Sequence, residues 1–87
     1  MEIKHFTIDC RQFTDSRQAH GYLKNVFSFP GYYGNNLDAL YDCLTELPPC
    51  TVRMERPWEL ARLGDWAVSM LRVFCDARDA NPNLHLI

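Results

Sequence analysis

From Asn25 to Val52 the sequence contains no lysine or arginine. Nucleic-acid affinity comes largely from cations that neutralise phosphates, and a formal net charge of -2 over 87 residues supplies no basic surplus elsewhere. Tyr32, Tyr33 and Tyr41 could serve as stacking platforms for RNA, but the cationic groove that accompanies such platforms is missing. No histidine falls between His20 and His85, and no glycine-rich phosphate loop, HExxH pair or nucleophile elbow occurs. No catalytic set, metal-ligand set or cofactor motif is therefore read, and His5, His20 and His85 are taken singly, as surface or core-edge residues. Cys10, Cys43, Cys50 and Cys75 show no CxxC or other ligand-like spacing, so buried free thiols are expected rather than disulfides. No apolar run approaches the about 20 residues of a membrane span. Met1-Glu2-Ile3-Lys4-His5 lacks the charged start and apolar core of a signal peptide, so a reducing cytoplasm is the expected setting.

What is present reads as a globular α/β chain. Hydrophobic residues make up 47% of the sequence, enough for one core, and residues 1–87 are expected to form a single domain. Ile3, Phe6, Thr7 and Ile8 suit a first strand over residues 2–8. Thr14 or Asp15 can cap a helix whose apolar residues Ala19, Tyr22, Leu23 and Val26 recur at helical spacing, ending near Phe27 before Pro30. Asn36 is a good N-cap for a helix from Leu37 to about Thr45, with Leu37, Leu40 and Leu44 as its buried stripe and Cys43 beside them. Pro48-Pro49 stops that helix, and Cys50 to Glu55 alternates as a second strand with Cys50, Val52 and Met54 on one side. Pro57 can start a short third helix through Trp58, Leu60 and Leu63 that Gly64 ends. Asp65 would then cap a fourth with Trp66, Met70, Val73, Phe74 and Ala77 at helical spacing, and Leu84 to Ile87 a last strand. Strands alternating with helices imply a parallel sheet.

One stretch stands apart. Phe29-Pro30-Gly31-Tyr32-Tyr33-Gly34-Asn35-Asn36 is a turn feeding the second helix, and that helix carries Asp38, Asp42 and Glu46 with no local cation. Asp38 lies in the first turn, where the helix dipole favours an acid. Asp42 lies beyond it and faces the same way as Asp38, and like charges four residues apart repel by a few tenths of a kcal/mol. Such a face is either simply solvated or a rigid anionic surface for a cationic partner. The three tyrosines favour the second reading, because a ring with a hydroxyl makes a good interface anchor.

Tyr32-Tyr33-Gly34-Asn35-Asn36-Leu37-Asp38-Ala39-Leu40-Tyr41-Asp42-Cys43-Leu44-Thr45 closely resembles the signature of the barstar family, intracellular inhibitors of barnase-type ribonucleases. Leu71-Arg72-Val73-Phe74-Cys75-Asp76-Ala77-Arg78 extends the likeness, and the order of elements agrees along the whole chain. The resemblance implies a barstar-like α/β fold: a three-stranded parallel sheet in order 1-2-3 with about four helices packed against it. It also implies that the second helix and its preceding loop plug a ribonuclease active site, acids standing in for RNA phosphates. By position, Asp42 matches the family's central phosphate-mimicking acid, Asp38 the second acidic contact and Tyr32 the aromatic packed near the enzyme's catalytic histidine. Tyr33, Gly34 and Asn36 match neighbouring loop contacts, and Asp76 an outlying acid one methylene longer in the family. Leu37, Tyr41, Thr45 and Glu46 complete the expected partner-binding set. Tyr41 and Leu47 stand where the family has tryptophans, Glu46 where it has glycine and Asn35 where it has an acid, while the turn into Pro49 is shorter. The family's turn carries a cis proline, and the resemblance leaves open whether Pro48 or Pro49 inherits that isomer. The expected role is a ribonuclease inhibitor or immunity protein, monomeric when free, that binds one basic ribonuclease toxin and touches neither nucleic acid nor membrane. The alternative is a module of the same fold that docks a basic partner of another kind.

Overall fold

The computed structural model describes residues 3–87. Its strands are β1 (Lys4–Asp9), β2 (Cys50–Glu55) and β3 (Leu84–Leu86), and its α-helices are α1 (Ser16–Phe27), α2 (Leu37–Thr45) and α3 (Asp65–Ala80). Two 3₁₀ pieces, Cys10–Gln12 and Pro57–Leu63, complete the order. The strands pair in the order β1-β2-β3, both pairs parallel, with Phe6 opposite Val52 and Val52 opposite Leu86. This is the parallel α/β architecture expected from the residue pattern, in the strand order that the family resemblance implies.

Strand alternation sorts the sheet into two faces. Ile8, Cys50, Val52 and Leu84 are buried, whereas His5, Thr7, Arg53 and His85 are exposed on the other side, where His5 Nδ1 hydrogen-bonds Thr51 Oγ1 across the strands. The helices lie on the apolar face. Leu23 from α1, Leu40 and Leu44 from α2 and Phe74 from α3 meet Ile8 and Val52 in one core. Aromatic rings continue it toward the α1–α2 loop: Phe27 lies 4.8 Å from Phe6 and 5.3 Å from Phe29, and Phe29 lies 5.0 Å from Tyr33, centroid to centroid.

Local signals explain the boundaries. Asp15 caps α1 by accepting from Gln18 N–H at 2.8 Å, while Gln18 Oε1 accepts from the N–H of Thr14 just before the cap, fixing the entry of the chain. Ser28 closes the helix in the left-handed region. Asp65, expected as the cap of the last helix, is instead its first helical residue. Gly64, at φ 98°, occupies the cap position and gives no side-chain bond. The third helix is 3₁₀ rather than α. A three-residue period brings Leu60 and Leu63 onto one inward line and leaves Trp58, expected among its apolar positions, 69% exposed.

All four cysteines are free: Cys10 and Cys50 are fully buried, as expected, but Cys43 and Cys75 are only partly so. All peptide bonds among the described residues are trans, those preceding Pro48 and Pro49 included. No helix among the described residues is long and apolar enough to cross a membrane.

Candidate functional site

The loop between α1 and α2 and the exposed flank of α2 enclose a groove of about 570 Å³. Two features of the sequence build it. Asn36 caps α2 by accepting from Ala39 N–H at 2.7 Å, and its Nδ2 turns back to Gly34 O at 3.2 Å. That return needs glycine at 34, since a Cβ there would stand 2.9 Å from the Asn36 amide nitrogen. The loop is thus locked to the helix start, and Asn35 accepts a left-handed φ of 53° at the join.

Phe27, Phe29 and Tyr33 give the groove an aromatic side, while Asp42 and Glu46 put two carboxylates on the helix side. Tyr32 stands at its edge, 88% exposed, a large ring with almost no packing. Asp38, Asp42 and Glu46 are all exposed and follow one another at four-residue intervals, about 6 Å apart along the axis at 1.5 Å per residue. Among the described residues the ion pairs are Arg11–Asp9, Arg62–Glu59 and Arg78–Asp79, none of which reaches these acids or Asp76. No group of three or more His, Cys, Asp or Glu among the described residues is placed to hold a metal ion.

The residues singled out from the sequence therefore divide. Tyr32, Gly34, Asp42 and Glu46 line the groove, and Asp38 and Tyr41 are exposed on α2 outside it. Asn36 and Leu37 set the helix start, Leu37 half-buried against the core. Thr45 spends its hydroxyl on Asp42 O at 2.8 Å, within the helix. Asp76 is exposed on α3 and does not line the groove. Tyr33 differs most from its expected place. Only 6% exposed, it points inward and its hydroxyl meets His20 Nδ1 at 2.7 Å. Its ring forms groove wall and core together, and burial raises its phenol beyond the usual tyrosine range.

Set beside known proteins, the chain matches the family model described as Barstar (barnase inhibitor) over residues 3–85. This chain belongs to the barstar family. It is also 38% identical over 80 residues to the Bacillus subtilis (strain 168) protein named "Putative ribonuclease inhibitor YrdF", with 88% of each chain covered. Of the positions where the resemblance implies a departure from the family, Glu46 and Leu47, just past α2, line the groove, Tyr41 is exposed on α2, and Asn35 and Asp76 lie outside the groove lining.

Four participants escaped the sequence reading. Phe29 and Cys43 line the groove, and the Cys43 thiol is pushed up by burial, then by the nearby Glu46 and Asp42 charges. His20, taken as a surface or core-edge residue, is 2% exposed and holds the loop through Tyr33. Its position between Ala19 and Leu23 on the inward arc of α1 was the available signal. Asn81, just past the last helix, is buried and bonds to the end of α2.

Proposed function

We propose that this barstar-family protein inhibits a basic microbial ribonuclease, α2 and the loop before it entering the enzyme's active site while Asp42 and Asp38 take the place of RNA phosphates. The observation that carries the reading is the row of unpaired, exposed carboxylates on a helix whose chain neighbourhood holds no cation, beside a groove edged by Tyr32. Acids facing a basic cleft accelerate encounter, and a charge pair desolvated at the centre and fully hydrogen-bonded slows release. Asp76 and Glu46 supply outlying charge, Tyr32 and Tyr41 apolar contact, and Tyr33 shapes the loop from beneath. The inhibitor is monomeric when free and acts one to one. Four free thiols suit a reducing compartment, and we place it in the cytoplasm.

Titration into barnase and other small basic microbial ribonucleases tests this. Cleavage of RNA by a cognate enzyme ends near one equivalent of inhibitor. Asp42→Ala weakens binding by more than about a hundredfold, because it strands partner cations in a desolvated site. Asp38→Ala and Tyr32→Ala follow with smaller losses. An Asp42→Ala variant within twofold of the parent would remove the phosphate-mimic assignment. Glu46 in the groove, where the barstar resemblance implies glycine, favours an enzyme other than barnase with a further cation at its rim. Recovery from the host of basic partners without ribonuclease activity alone would favour the docking module instead.

A further inference from the structure

Helix α2 ends without the usual devices. A left-handed glycine or asparagine commonly follows a helix and satisfies its last carbonyls, and a nearby cation offsets the dipole. Here Glu46 follows in right-handed conformation, at φ −98° and ψ 0°, and the last turn holds no basic residue. Pro48 and Pro49 have no N–H to give. The local bonds are long: Glu46 N–H donates to Cys43 O at 3.3 Å and Leu47 N–H to Leu44 O at 3.3 Å.

Asn81, just past α3, reinforces this end. Its Nδ2 donates to Leu44 O at 3.0 Å and to Leu47 O at 3.1 Å, using both amide hydrogens. Its Oδ1 accepts from Asn83 N–H at 3.0 Å, its own N–H donates to Ala77 O at 2.8 Å, and its carbonyl accepts from Leu84 N–H at 3.0 Å. Two carbonyls on one side and an N–H on the other fix the orientation of the carboxamide. Asn81 is 4% exposed, and its bond to Leu44 O is buried.

We infer that Asn81 is a positioning residue for the inhibitory helix. Its carboxamide ties the end of α2 to the α3–β3 turn and so sets where Glu46 and Leu47 stand in the groove wall. Because Asn81 also closes α3, which carries Asp76, the two acidic elements share one anchor. The binding half of this inference rests on the inhibitor reading above; the clamp itself does not.

Asn81→Asp tests it, because the side chain keeps its shape and its acceptor for Asn83 while an oxygen replaces the donor facing two carbonyls. In the free protein, amide exchange at Glu46 and Leu47 should accelerate at least about tenfold relative to β2 amides. Inhibition of whichever ribonuclease in the barnase panel the parent blocks should weaken by a similar factor. Val52→Ala, a cavity in the sheet, provides a control that lowers overall stability: exchange at Glu46 and Leu47 should rise no more than at β2, and inhibition should match the parent well below its melting temperature. Should Asn81→Asp not fold, Asn81→Ala carries the same expectations with a smaller effect. Exchange at Glu46 and Leu47 that rises only in step with β2 overturns the clamp, and unchanged inhibition despite local opening overturns the positioning role. A parent protein that inhibits none of the panel overturns the inhibitor reading instead, and the exchange measurement then decides the clamp by itself.

Discussion

Removing a single oxygen, in Tyr33→Phe, separates the loop's support from its binding surface. The ring stays buried and keeps its neighbour Phe29 at 5.0 Å, so little apolar contact is lost. What disappears is a 2.7 Å hydrogen bond whose partners are both almost fully buried. His20 Nδ1 is then left in the core without a partner, a penalty of about 1–3 kcal/mol. In a domain of this size each kcal/mol moves the melting temperature by about 4–8 °C, so a fall of roughly 10 °C is expected. Urea unfolding followed by circular dichroism at neutral pH gives the free energy. A double-mutant cycle with His20→Leu isolates the bond, because leucine leaves no nitrogen to strand: in that background Tyr33→Phe should cost far less, with a coupling of about 1 kcal/mol or more. Inhibition by Tyr33→Phe should match the parent at temperatures where both are folded. A stability change below about 0.5 kcal/mol, or an absent coupling, refutes the buried bond as the tie between α1 and the loop. A selective loss of affinity would instead make the hydroxyl a direct contact.

Two further perturbations follow from the same geometry. Burial lowers the His20 pKa from its ordinary 6.5, so the unfolded chain takes up a proton there before the folded one does. Stability is therefore full above that value and declines as the pH falls below it, by at most about 1.4 kcal/mol per unit, and pH-dependent urea titrations of His20→Leu should show this slope removed. Asn36→Ala removes both the α2 cap and the tie to Gly34, costing about 1 kcal/mol, whereas Asn36→Asp keeps the cap and should cost less by the same urea assay.

Much of the fold was legible because its signals are local. Helix α2 appeared in the sequence with its observed limits, since Asn36 announces the start, Pro48-Pro49 bar continuation, and Leu40 and Leu44 recur on one side. Strand β2 appeared through simple alternation of Cys50, Val52 and Met54. The 3₁₀ geometry of Pro57–Leu63 did not, because Leu60 and Leu63 fit both a three-residue and a 3.6-residue period, and only packing chooses between them. In the site, the acids could be placed by spacing alone, but the inward turn of Tyr33 could not. It depends on His20, thirteen residues away, finding the hydroxyl across the α1–α2 loop. Asn81 is the longer-range case, since its partners Leu44 and Leu47 become neighbours only once α2 and α3 pack.

Helix α2 carries two opposed demands. Its inner side is structural, with Leu40 and Leu44 completely buried in the common core. Its outer side repeats like charges at the spacing where they repel, and ends in a glutamate where the helix dipole favours a cation. A helix of nine residues is too short to hold itself against such terms. Its persistence therefore comes from elsewhere: packing along the inner stripe, the Asn36 cap at one end and the Asn81 carboxamide at the other. The inner stripe and the buried Asn81 carboxamide act where an incoming enzyme need not touch. The outer carboxylates are thereby left without protein partners yet fixed in place, so a basic ribonuclease would meet them already arranged and would supply the cations the helix lacks.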